Sequence, residues 1–221
     1  MQRLTPMVKN LLILNIAIYI IGIYTQGSFN LDLTRIFGLY YFGLSEFRWY
    51  QIITNFFLHA NFNHLLFNMV SLFSVGTLLE RFWGAKRFFH FYMICGIGAS
   101  IIYLISIAIP IYLKTNHFIL TLEDLPLVEN NISMVAVGAS GAIFGVFTAI
   151  ARLFPNSEFY MLFIPVPIKA KYLWLGLVII DIMFGFMNVE GDNLGHFAHL
   201  GGVITGLILV TIWQKDRTRF F

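Results

Sequence analysis

The sequence predicts an all-α, polytopic membrane protein: a bundle of six spanning helices. Three observations lead there. Hydrophobic residues make up 58% of the chain and Asp, Glu, Lys and Arg only 11%, where soluble domains carry roughly 25% charged residues. The mean hydropathy is +0.78. The apolar residues gather in six runs, each close to the about 20 residues that cross a hydrocarbon core. Open sheets cannot sit in lipid, and these runs are too long and too continuous for barrel strands.

The first run, Asn10–Thr25, has no small-residue cleavage site behind it. It is expected to be a retained helix and not a removed signal. Gln26–Asn61 is aromatic and half apolar, with IFGLYYFGL followed by FRWYQIITNFFLH. Nothing in it is long enough to span, so a half-submerged loop is expected, with Tyr40, Tyr41, Trp49 and Tyr50 at headgroup level. The remaining spans are Phe62–Leu79, Phe88–Leu113, Met134–Leu153, Tyr172–Val189 and Leu194–Trp213. Their connectors are short apart from Lys114–Ser133, and without a repeat or linker residues 1–221 are expected to form one domain.

Charge orients the bundle. With the N-terminus inside, the inner segments hold Arg3, Lys9, Arg81, Lys86, Arg87, Arg152, Lys169, Lys171, Lys215, Arg217 and Arg219, 11 of the 14 basic residues. The outer segments hold Arg35, Arg48 and Lys114 with Glu123, Asp124, Glu129, Glu190 and Asp192. That asymmetry puts both termini in the cytoplasm. It also accounts for the net charge of +3 without a nucleic-acid partner. Cys95 is the single cysteine, so no intrachain disulfide forms.

Polar side chains inside spans are costly and commonly functional. His64 and Asn68 lie in HLLFN, Ser140 in GASGAIFG and His199 in HLGG, all near the outer ends of helices that run inward. Counting from the predicted helix starts puts Asn68, Ser140 and His199 about 7–10 Å down, at one depth. Serine and histidine supply a nucleophile and its general base. Asparagine and a second histidine can donate to an oxyanion. Hydrolysis inside a water-filled cavity follows, with no cofactor or metal required. GxxxG pairs at Gly141/Gly145 and Gly202/Gly206 allow two helix faces to approach closely and bring His199 to Ser140. Phe144, one turn after Ser140, is expected to stack on the imidazole.

Each residue also has a plainer role available. Ser140 fits a small-residue packing face, Asn68 an interhelical clamp, and His64 and His199 structural hydrogen bonds. His59 and His196 are expected nearer the interface, in solvated roles, with His196 the rival base. No acidic third member is visible: Asp181, midway along a helix running the other way, is weighed as a triad carboxylate but expected to be structural or gating. His59, His64, His196 and His199 could gather zinc, but HExxH is absent and no carboxylate accompanies them in their own helices.

The ordered set of His59, HLLFN (His64 to Asn68), ERFWG (Glu80 to Gly84), GASGAIFG around Ser140 and AHLGG around His199 resembles the rhomboid family of intramembrane serine proteases, in its minimal six-helix bacterial form. The resemblance implies a Ser140–His199 dyad. It implies an oxyanion hole from the Ser140 N–H, His64 and Asn68, with Gly138 keeping the region open. It further implies a fifth helix gating lateral entry, membrane-protein substrates of one or several spans, and residence in a bacterial inner membrane with the site opening outward. Two departures stand out. Tyr50 and Gln51 occupy places where the family often has Trp-Arg, and Phe144 stands where it often has Tyr. The alternative function is a non-catalytic relative that binds client membrane proteins.

Overall fold

A computed structural model describes residues 3–121, 124, 135–161, 164–186 and 193–217. In chain order the elements are α1 (Pro6–Phe29), α2 (Leu33–Phe37), β1 (Leu39–Tyr40), α3 (Gln51–Thr54), α4 (Phe62–Trp83), α5 (Ala85–Thr115), β2 (Val135–Ala136), α6 (Ser140–Leu153), β3 (Glu158–Met161), β4 (Ile164–Lys169), α7 (Ala170–Phe186) and α8 (Asn193–Arg217). Among the described residues, four helices are long and apolar enough to cross a membrane: Pro6–Phe29, Phe62–Trp83, Ala85–Thr115 and Gly195–Gln214. The protein is a polytopic, helical integral membrane protein.

α1 begins before its sequence-predicted start because capping chemistry lies outside the apolar run. At α1, Glu80 of α4 accepts hydrogen bonds from Thr5 Oγ1 at 2.5 Å, Met7 N at 2.9 Å and Val8 N at 2.8 Å. The first N–H groups of a helix have no intrahelical acceptor and carry positive partial charge, so a carboxylate satisfies them. This gives the glutamate of ERFWG a structural reason. At α4, the Asn61 side chain caps the helix by accepting from His64 N at 2.9 Å.

α6 is the exception and the centre of the molecule. It has 14 residues, about 21 Å of helix, and Gly141, Ala142, Ile143, Gly145, Val146, Phe147, Thr148, Ala149 and Ile150 are all buried. The sequence predicts a helix from Met134, a residue outside those described. Instead Val135–Ala136 forms β2, paired antiparallel with β1, and α6 begins at Ser140. Gly138 has φ +132°, which no helix permits and which side-chain-bearing residues rarely adopt. Extended backbone, not a turn and a half of helix, carries the chain to Ser140.

The predicted loop 26–61 is largely ordered. α1 runs on to Phe29, and α2, β1 and α3 follow. Its hub is Gln51, fully buried, in one of the places where the family often has Trp-Arg. The Gln51 amide donates to Ile36 O at 3.2 Å and Glu46 O at 3.1 Å, and its oxygen accepts from Arg48 N at 3.0 Å and Tyr40 N at 3.4 Å. A neutral amide therefore ties this loop together. Tyr41 does not sit at a headgroup surface: it is buried and donates to Phe118 O at 2.9 Å. Trp49 is 74% exposed.

α5 and α8 close on either side of α6. A Cβ on Gly141 would lie 2.5 Å from Ala99 Cβ, and one on Gly145 would lie 2.5 Å from Cys95 Cβ, both on α5. On the other side Gly202 meets the Gly141 carbonyl, and a Cβ on Gly206 would lie 2.7 Å from Gly145 O. The expected pairing of small-residue faces is thus a backbone-to-backbone contact. The hairpin β3–β4 that links α6 to α7 falls between two predicted spans and is not among the predicted elements. Residues 187–189 of the fifth predicted span and most of Lys114–Ser133 lie outside the described residues.

Candidate active site

Above the N-terminal end of α6 lies a cavity of about 670 Å³, lined in part by His64, Asn68, Gly138, Ser140, His196 and His199. Ser140 is the first residue of α6, so its side chain and its own N–H both sit at the helix's positive end. His199 enters from α8. Its Nε2 lies 2.7 Å from Ser140 Oγ. The Phe144 ring stacks on the His199 ring, with centroids 4.4 Å apart and planes 9° from parallel. The two groups share one depth, but not for the reason the sequence suggested. His199 is six residues from the start of α8 at Asn193, whereas Ser140 starts its helix.

α4 supplies the opposite wall. Asn68 is buried and donates one amide hydrogen to His64 O at 3.0 Å. The other amide hydrogen remains for a different acceptor. The edge of the His64 ring lies over Gly138: a Cβ there would fall 2.7 Å from His64 Cε1, 2.8 Å from His64 Nε2 and 3.7 Å from Ser140 Oγ. Glycine at 138 is therefore demanded twice, by φ and by space. Gly138 N also donates to Asn55 O at 3.0 Å, and Asn55 Nδ2 donates to Ser100 Oγ at 2.9 Å and Gln51 O at 2.6 Å. Through this chain and the β1–β2 pairing, the loop around Gln51 holds the backbone that enters the serine.

Two sequence expectations need correction. His59 is not solvated. It is 8% exposed, its ring meets that of His64 edge-on at 5.2 Å, and burial first and His64 second push its pKa down to about 3. It is a buried, neutral imidazole. An acidic partner is also present. Asp181 Oδ1 lies 2.9 Å from His199 Nδ1 and 2.6 Å from His196 Nδ1. Counting depth along Tyr172–Val189 puts Asp181 at mid-span. The described α7 ends at Phe186, five residues on, which is about 8 Å and level with His199. His196 reaches Asp181, and its ring stands 6.1 Å from that of His199, nearly perpendicular to it.

Among the described residues, the group that could hold a metal is Asp181, His196 and His199, with ligand atoms within 4.8 Å of one another. The four-histidine cluster does not form there. A metal on His199 Nδ1 would leave the proton on Nε2, facing Ser140, where a base is needed. These residues therefore fit a catalytic metal poorly.

A rhomboid domain matches residues 46–215. The chain belongs to the rhomboid family. This rhomboid is 29% identical to the putative rhomboid protease YdcA of Bacillus subtilis, over 97% of the chain and 93% of the relative. It is 30% identical to rhomboid protease GluP of the same organism over 74% of the chain, and 28% identical to rhomboid protease AarA of Providencia stuartii over 90%. The matched region spans 26% of GluP and 69% of AarA.

Proposed function

We propose that this rhomboid is an intramembrane serine endopeptidase that cuts membrane-protein substrates in or near their spanning segments, with Ser140 as nucleophile and His199 as base. The observation that carries the proposal is the 2.7 Å contact between Ser140 Oγ and His199 Nε2 inside an open cavity. A serine hydroxyl attacks poorly until a base takes its proton, and imidazole is the side chain that does so near neutral pH.

The steps follow from these positions. Ser140 Oγ attacks the scissile carbonyl carbon while His199 Nε2 takes the hydroxyl proton. The negative oxygen that forms is met by the Ser140 N–H at the α6 terminus, the free amide hydrogen of Asn68, and His64. His199 returns its proton to the leaving nitrogen, the C–N bond breaks, and an acyl-Ser140 remains. Water then attacks the acyl carbon and gives a proton to His199 Nε2; the C–Oγ bond breaks, His199 returns that proton to Ser140 Oγ, and the acid product leaves. Phe144 keeps the imidazole plane fixed throughout.

The bundle has six spans in a single domain over residues 1–221, the shorter α6 and α7 completing the four long ones. Both termini face the cytoplasm of a bacterial cell and the cavity opens to the outer face, as the 11 inner basic residues require. The test is a fluorophosphonate probe with mass-spectrometric mapping. Label on Ser140, lost in Ser140→Ala, is expected. Undiminished labelling of Ser140→Ala overturns the nucleophile. Asn68→Ala should lower kcat by about 10²–10³.

A further inference from the structure

Asp181 is a carboxylate on an apolar helix, flanked by Ile180 and Ile182, and only 4% exposed. Such a group is expensive in a membrane protein and persists where it has partners. Its partners are two histidines of the neighbouring helix, both on the same oxygen, at 2.6 and 2.9 Å. We infer that Asp181 is a positioning residue for the proteolytic reaction: it fixes the tautomer and rotation of His199, with His196 as the second donor that fixes Asp181. The inference rests on His199 being the base.

The argument is one of proton inventory. An ionised carboxylate only accepts hydrogen bonds, so the ring nitrogen facing it carries the proton. In neutral His199 that nitrogen is Nδ1, which leaves Nε2 with its lone pair directed at Ser140 Oγ. Only this tautomer can take the serine proton. Two restraints then act on one ring and do different work. Phe144 stacks on its face and fixes the plane, leaving rotation within that plane open. Asp181 bonds to its edge and removes that freedom. When Nε2 takes the proton, the new imidazolium lies beside an existing negative charge, in a half-buried site where water screens it weakly. The proton stays on His199, and Asp181 remains ionised throughout.

His196 has a defined part in this. One donor leaves a carboxylate free to swing about that bond; a second donor on the same oxygen holds it. His196 is itself held by Phe184 of α7, whose ring stacks at 5.7 Å and 22°. The rival base of the sequence thus becomes the group that steadies the orienter. Asp181 lies on α7 and both histidines lie on α8, so the base is set only while these helices stay together.

The first experiment reads wild type directly. Protein selectively labelled with ¹⁵N-histidine, in detergent near neutral pH, should give His199 with a protonated Nδ1 and a bare Nε2, assigned by the signal lost in His199→Ala. A bare Nδ1 and protonated Nε2 would overturn the inference without any question of folding. The second is steady-state cleavage of a single-span fluorogenic substrate. Asp181→Asn should lower kcat by about 10² with KM nearly unchanged, a smaller loss than the about 10⁴ seen for a triad carboxylate, because Phe144 also holds the ring. Asp181→Glu should recover part of it. His196→Ala should cost kcat less than Asp181→Asn does. A kcat for Asp181→Asn within twofold of wild type, while His199→Ala is dead, would overturn this inference and leave the dyad standing. Activity surviving in His199→Ala would instead sink the base itself.

Discussion

Two of the neighbours of α8 at the active site, α6 and α7, hold it by different means. Against α6 the contact is backbone on backbone: Gly202 on the Gly141 carbonyl and Gly206 on that of Gly145. No side chain intervenes at these two glycine pairs, so no rotamer change can loosen them. Against α7 the polar ties near the site are the bonds of Asp181 to His196 and His199. Trp174 Nε1 adds a bond to Thr148 Oγ1 of α6 at 3.0 Å. The outer face of α7 is a run of exposed apolar side chains, including Leu175, Ile179, Ile182 and Met183. His199 stands between the two, stacked on Phe144 from α6 and bonded to Asp181 from α7. The α6 side is held by close backbone contact and the α7 side by a few polar bonds; a gating role for α7, which the family resemblance implies, would draw on that difference.

The sharpest way to break this contrast is a pair of identical substitutions. Gly202→Leu drives a side chain into the Gly141 backbone, and the loss should exceed the about 1–3 kcal/mol of ordinary overpacking. No folded, active protein is expected in detergent. Gly176→Leu on α7 meets open space, since a Cβ there has nothing within 4 Å. Its thermal unfolding midpoint should match wild type. Equal damage from both would show that α7 is packed as rigidly as α6.

Phe144→Ala should come next. An aromatic stack is worth about 1 kcal/mol, so kcat should fall about five- to tenfold, while Phe144→Tyr should cleave at the wild-type rate. Equal rates in all three proteins would remove the stacking role. Trp174→Phe is the mildest. It deletes one neutral hydrogen bond of about 1 kcal/mol, so denaturant unfolding should shift slightly with kcat unchanged. A loss approaching that of Gly202→Leu would contradict the contrast between the two sides.

What the sequence told about this molecule, and what it withheld, divides along the same line. The long apolar helices and the glycine faces follow from composition and spacing, and the close approach of those faces brings His199 to Ser140. Depth counting failed where the backbone left the helix. Val135–Ala136 looked like the start of an apolar span, yet pairing with Leu39–Tyr40 and the positive φ of Gly138 made it extended. It failed again at Asp181, where a few residues of uncertainty at a helix end hid a carboxylate level with the base. Gln51 and His59 were missed for another reason. Their surroundings come from chain segments that meet only after folding, and no local period marks a buried amide hub or a core imidazole. For Asp181 a signal did exist: a lone carboxylate in an apolar run, opposite a helix carrying two histidines three residues apart.

The central claim is that Ser140 and His199 together cleave peptide bonds without a metal. The direct measurement uses purified wild type, Ser140→Ala and His199→Ala in liposomes with a single-span substrate, with and without EDTA, products resolved by mass. Wild type should cut equally in both conditions, and neither variant should cut. Cleavage by Ser140→Ala, or loss of wild-type cleavage in EDTA, would contradict the account.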